Sequence, residues 1–81
     1  MKKVKQMNKK QDFILRKEEE FIPLIQLLKI TNIASSGGEA QAMVLSENVS
    51  LNGAIELRKR AKIRVGDVVT AFGYEVTVVA E

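Results

Sequence analysis

Apolar positions along the chain change period once, near residue 49. Residues 1 to about 12 are polar and lysine-rich with no apolar periodicity, the pattern of a flexible basic arm. Phe13-Ile14-Leu15 reads as a short strand, followed by a charged connector through Glu18-Glu19-Glu20. In "FIPLIQLLKITN", helical spacing puts Leu24, Ile25, Leu27 and Leu28 on one broad face, with Gln26 and Lys29 directed away from it. Pro23 suits the first helical turn, where its missing N–H costs nothing. The helix is expected to end near Thr31 or Asn32. A second helix follows in "ASSGGEAQAMVLSEN", where Ser36 and Glu39 have capping-box spacing. From residue 49 short strands alternate with turns. Asn52-Gly53 is a strong hairpin signal, then come a Gly66-Asp67 turn, a strand over 68–72, a Gly73-Tyr74 turn and a strand over 75–79. Strands this close in sequence pair antiparallel, since parallel pairing needs a long crossover. The expected class is α+β: two helices packed on a small, mostly antiparallel sheet, forming a single domain over 13–81 behind an arm at 1–12.

Composition narrows the chemistry. The 81 residues make one domain at most, and an apolar fraction of 46% supports a modest core. No apolar run is long enough for a membrane span, and no apolar segment of signal-peptide length follows the basic start. A cytoplasmic protein is the expectation. With neither Cys nor His, disulfides, the common zinc and transition-metal ligands and the usual nucleophile–base pairs are excluded. The acidic residues show no catalytic dyad, and there is no GxxxxGK[ST] loop. The reading is a protein without catalytic, metal or cofactor chemistry.

Charge changes the picture. The formal net charge is +3, yet ten of the thirteen cations fall in two blocks: Lys2, Lys3, Lys5, Lys9 and Lys10, and then Arg58, Lys59, Arg60, Lys62 and Arg64 in "RKRAKIR". Segregated positive charge points to a polyanion, most often nucleic acid. Alternation through residues 60–64 buries Ile63 and turns Arg60, Lys62 and Arg64 outward, with Arg58 and Lys59 freer on a loop. A bland alternative is a solvated edge strand whose charges block unwanted pairing, for which one or two cations suffice. Lys29 complements the first helix's C-terminal dipole and can also reach a ligand. Gly37 and Gly38 fall in the first turn of the second helix, a costly place on propensity. They either bare backbone N–H groups for an anion or supply glycine torsions for a sharp bend. Aromatic residues are few. Phe21 and Phe72 read as core, and Tyr74 as a surface residue at a turn.

The order of these pieces resembles the alpha-L RNA-binding motif, the fold named after ribosomal protein S-four. Ser36, Ala40, Met43 and Val44 are followed at the family spacing by Val49-Ser50-Leu51-Asn52-Gly53, and Gly66-Asp67-Val68-Val69 matches the family's "GD" turn and last strands. Within that superfamily the chain is similar to small stand-alone bacterial proteins of the YbcJ/YaaA-like group, through "LLK" at 27–29, "SGG.A" at 36–40 and "NGAIELRKRAKIRVGD" at 52–67. The resemblance spans roughly residues 20 to 80. Where typical members carry arginines at the start of the second helix and two residues after Glu39, this chain has Gly37, Gly38 and Gln41. Glu47 replaces a common glycine, so Asn48 is expected to take the positive φ of that turn.

The resemblance implies binding to structured RNA, ribosomal or transfer RNA, with possible ribosome association. The candidate contacts are Arg58, Lys59, Arg60, Lys62 and Arg64, joined by Lys29, Ser36, Gly37, Gly38, Gln41 and Asn52. Contacts of this kind hold backbone phosphates and carry no sequence information. The paucity of aromatic residues argues for shape recognition over a single-strand stacking platform. A different class stays open: a protein-interaction module docking on an acidic surface of a ribonucleoprotein or RNA-processing partner.

Overall fold

Asn52-Gly53 and Phe72-Gly73 each close a two-residue hairpin with both residues at positive φ (51° and 89°, then 49° and 82°), the torsions that match the right-handed twist of the flanking strands. Around these turns the computed structural model, which describes residues 9–81, lays out β1 (Lys9–Leu15), β2 (Ile22–Pro23), α1 (Leu24–Ile30), α2 (Gly37–Leu45), β3 (Val49–Leu51), β4 (Ala54–Ile55), β5 (Lys62–Ile63), β6 (Val68–Ala71) and β7 (Tyr74–Ala80). Five strands form one sheet in the order β1-β7-β6-β3-β4, and β2 pairs with β5 in a separate two-stranded sheet. Two helices on a mostly antiparallel sheet is the class expected from the hydrophobic pattern.

The N-terminal strand departs from expectation. Residues 9–12, read from sequence as part of a flexible arm, form the first half of β1, and residues 1–8 of that arm lie outside the described residues. Lys9 stands beside Tyr74 and Leu15 beside Ala80, so β1 and β7 run parallel. Parallel pairing is possible because the whole of the helical region and the hairpins intervenes between the two strands. Backbone pairing does not need apolar side chains at every position. Leu15 is buried and Phe13 packs against the core, while Lys9 and Lys10 stay exposed on the edge, where lysine discourages further pairing.

One core joins the layers. Leu24, Leu27 and Leu28 of α1 and Ala40, Met43 and Val44 of α2 pack with Val49, Ile63, Val69, Ala71, Val76 and Val78 from the strands. Ser36 caps α2, its hydroxyl accepting the Glu39 N–H at 3.1 Å. The Glu39 carboxylate reaches back one residue further than in a standard capping box, to the backbone N–H and hydroxyl of Ser35. Pro23 is the N-cap of α1 and sits outside its first turn (ψ 142°).

Other local expectations shift by a residue. The last hairpin turns at Phe72-Gly73 and not at Gly73-Tyr74, so Phe72 is 62% exposed and is no core residue. The α2 terminus uses Glu47 (φ 65°) where Asn48 was expected. The reason is the length of the helix. With Ser46 as C-cap, the left-handed position falls on Glu47, whose N–H bonds to the Val44 carbonyl while the Asn48 N–H reaches the Met43 carbonyl, the Schellman pattern. A non-glycine residue there costs about 1–2 kcal/mol, offset in part by the lower backbone entropy it loses on folding. Glu47→Gly is expected to raise the thermal midpoint by a few degrees, a gain of about 0.5–1 kcal/mol. A melt followed by circular dichroism reads it directly.

Candidate nucleic-acid interface

The first helical turn of α1 leaves N–H groups without helical partners, and Pro23 offers no side-chain cap. The basic run supplies the acceptors. Leu24 N–H donates to the Ala61 carbonyl at 2.9 Å and Ile25 N–H to the Lys59 carbonyl at 3.1 Å. One step later β2 and β5 pair antiparallel, Ile22 with Ile63 and Pro23 with Lys62. Ala61 and Ile63 are buried beneath, so the run is fixed by its backbone and its small and apolar residues while its charges are left to point away. Only Lys62 and Ile63 are strand; residues 58–61 form a turn closed by the Ala61 N–H on the Arg58 carbonyl.

Alternation then determines which side chains meet. Ile22 and Ile63 face inward, so Phe21, Pro23, Lys62 and Arg64 share the outward face. The Lys62 ammonium lies 5.1 Å from the centre of the Phe21 ring, and the Arg64 guanidinium carbon 6.0 Å from it, within cation–π range. Beside them opens a cleft of about 760 Å³ lined by Phe21, Pro23, Ile25, Gln26, Lys29, Ile30, Gly37 and Arg60. Of the residues singled out from sequence, the fold thus brings Lys29, Gly37, Arg60, Lys62 and Arg64 to one region. Among the described residues none of these four cations forms an ion pair.

Arg58 behaves differently. Its guanidinium makes two bonds to Glu56, Nε at 3.0 Å and Nη2 at 3.1 Å, and its backbone N–H adds a third. The expectation that Arg58 stands free on a loop is corrected by this clamp. Asn52 is committed to the fold: its amide donates to Asp67 Oδ1 at 3.0 Å and its oxygen accepts the Val68 N–H at 2.9 Å, tying one hairpin to the next. Lys59 is half-buried. Ser36, Gly38 and Gln41 belong to α2 and its cap but do not line the cleft.

Gly37 and Gly38 lie within α2 and outside the positive-φ set, so the glycine-torsion reading of a sharp bend fails. A Cβ at Gly37 would meet only Lys29 Cδ, at 3.8 Å, so steric crowding does not demand glycine either.

Sequence reasoning missed Phe21. An aromatic residue before a helix reads as core, yet it is half-buried and lines the cleft. The signal was its place directly before Ile22-Pro23, whose pairing to Lys62-Ile63 sets Phe21 across from Arg64.

The chain belongs to the S4 domain family, whose model matches residues 15–79. Among individual proteins, YbcJ of Escherichia coli (strain K12) is 39% identical over 59 residues, covering 73% of this chain and 84% of YbcJ. YbcJ of Shigella flexneri matches to the same extent. The solution structure of E. coli YbcJ, described as revealing an alpha-L motif involved in RNA-binding, aligns over 99% of this chain and 96% of its own with a TM-score of 0.66 and 32% identity. The alpha-L fold and the YbcJ-like resemblance drawn from the motifs are both borne out.

Two carboxylates of this region sit below their ordinary value of 4.5: Glu39, held by the Ser35 backbone N–H and then its hydroxyl, and Glu56, held by the Arg58 side chain and then its backbone N–H. The folded state lowers both, so their contribution to stability is present above the ordinary value and is lost as pH falls through the lowered ones. The thermal midpoint should therefore hold between about pH 7 and pH 5 and drop below 4.5. Glu56→Gln should lie below wild type at neutral pH, and the gap should close as pH falls below 4.5 through the lowered value, as read by melts across that range.

Proposed function

We propose that this protein is a non-catalytic RNA-binding protein that grips structured RNA, ribosomal or transfer RNA in the first place, through backbone phosphates. One observation carries the reading: Lys29, Arg60, Lys62 and Arg64, without ion-pair partners among the described residues, converge on one face through the β2–β5 pairing and the α1 N-terminus. Unpaired cations fixed on a rigid backbone are suited to phosphates, because their charge is not already neutralised and the scaffold needs no reordering. The description of E. coli YbcJ as bearing an alpha-L motif involved in RNA-binding supports the same reading. Arg58, clamped by Glu56, is a poorer contact than its neighbours. A cytoplasmic location and association with the ribosome belong to this proposal.

The test is salt-dependent binding to a labelled RNA hairpin. Each phosphate neutralised contributes about −0.7 to −0.9 to the slope of log K on log salt, so four contacts give about −3. Lys29→Ala with Arg60→Ala should flatten that slope by about 1.5 while leaving the thermal midpoint within a degree or two. Arg58→Ala should change it least of the arginines in the run. No binding at low salt, together with capture of a protein partner that survives nuclease treatment, would replace this reading with a protein-docking module.

A further inference from the structure

The cleft beside Phe21 has a composition that phosphate contact alone does not use. Its lining joins apolar and aromatic side chains, Phe21, Pro23, Ile25 and Ile30, to the cations Lys29 and Arg60. Gln26, exposed on α1, adds a side chain that both donates and accepts hydrogen bonds. An anionic group with no flat face would leave the apolar lining wetted and unused. An apolar ligand would leave Lys29 and Arg60 uncompensated. A ligand that fits both parts is aromatic at one end and anionic at the other. The cleft's volume of about 760 Å³ lies in the range of about 300–1,000 Å³ that holds small organic groups.

We propose that this cleft takes one unpaired nucleotide of a bound RNA, its base against Phe21 and its phosphate between Lys29 and Arg60. The inference rests on the RNA reading above and adds a requirement to it: the preferred RNA presents a nucleotide out of its helical stack. The site is built for that role by placement. Pairing of Ile22 with Ile63 holds Phe21 on the outward face, and Lys62 and Arg64 beside its ring add positive potential for flanking phosphates. Recognition of extruded bases by aromatic stacking is how single-stranded positions in RNA are usually read, and a stacked base is sequence-tolerant.

The test compares two labelled RNA hairpins of equal stem length, one fully paired and one carrying a single unpaired adenosine in the stem, by fluorescence anisotropy at fixed salt. Wild type is expected to bind the bulged hairpin about tenfold more tightly, the scale of one stacking contact. Phe21→Leu, which keeps an apolar side chain but no ring, should lose that preference and bind the bulged and the paired hairpin equally. Phe21→Tyr, which keeps a ring, should restore it. These comparisons separate stacking from a general liking for bent stems, since a bend would be preferred by all three proteins. Equal affinity of wild type for the two hairpins, or a preference unchanged in Phe21→Leu, overturns the proposal and leaves phosphate-mediated RNA binding standing. Absence of binding to either hairpin at low salt overturns the RNA reading and this site with it.

Discussion

Two backbone hydrogen bonds, from the N–H groups of Leu24 and Ile25 to the carbonyls of Ala61 and Lys59, decide where the positive charge of this protein lies. A helix that begins at a proline without a capping side chain must find acceptors for its first turn elsewhere, and an unsatisfied buried donor costs about 1–3 kcal/mol. Here the acceptors come from the backbone of the basic run itself. The same bonds that complete α1 therefore position residues 59–61, and the Ile22–Ile63 pairing extends the hold to residue 63. The charged side chains of Arg60, Lys62 and Arg64 take no part in the anchoring and remain available.

This arrangement answers how five cations can sit within seven residues. Like charges at that spacing repel, and the fold separates them by environment. Arg58 is neutralised by Glu56, Lys59 is half-buried, Arg60 lines the cleft together with Lys29, and Lys62 and Arg64 lie against Phe21. The aromatic ring offers a partial counter-charge that does not remove the cations from reach of a ligand. Exposed ion pairs contribute little to stability, so the scarcity of acidic partners for this face is a small energetic sacrifice.

Much of the fold was legible because local and periodic signals agreed: the leucine face of α1, the Ser36 cap, the Asn52-Gly53 hairpin and the buried Ile63. What escaped depended on long-range pairing or on one-residue offsets. Lys9 to Asp12 carry no apolar pattern, and only the distant partner β7 makes them a strand. Phe72 and Glu47 occupy left-handed positions that propensity assigns to Gly or Asn, so the sequence-based reading slid each feature to a neighbour. At the candidate site the cations Lys29, Arg60, Lys62 and Arg64 were visible as residue types, whereas their convergence on Phe21 needed the β2–β5 register. Asn52 and Arg58 were misjudged because their partners, Asp67 and Glu56, compete for the same polar atoms.

The proposed role of the backbone-clamped basic run is to present one cationic face to RNA. Amide chemical shifts of the protein, followed by nuclear magnetic resonance as a structured RNA hairpin is added, read that contact residue by residue. The largest changes are expected at Phe21, Gln26, Lys29, Gly37, Arg60, Lys62 and Arg64, with the Leu24 and Ile25 amides retaining slow hydrogen exchange throughout. Changes concentrated instead at the Phe72-Gly73 hairpin and β4, with the cleft residues unmoved, would contradict it.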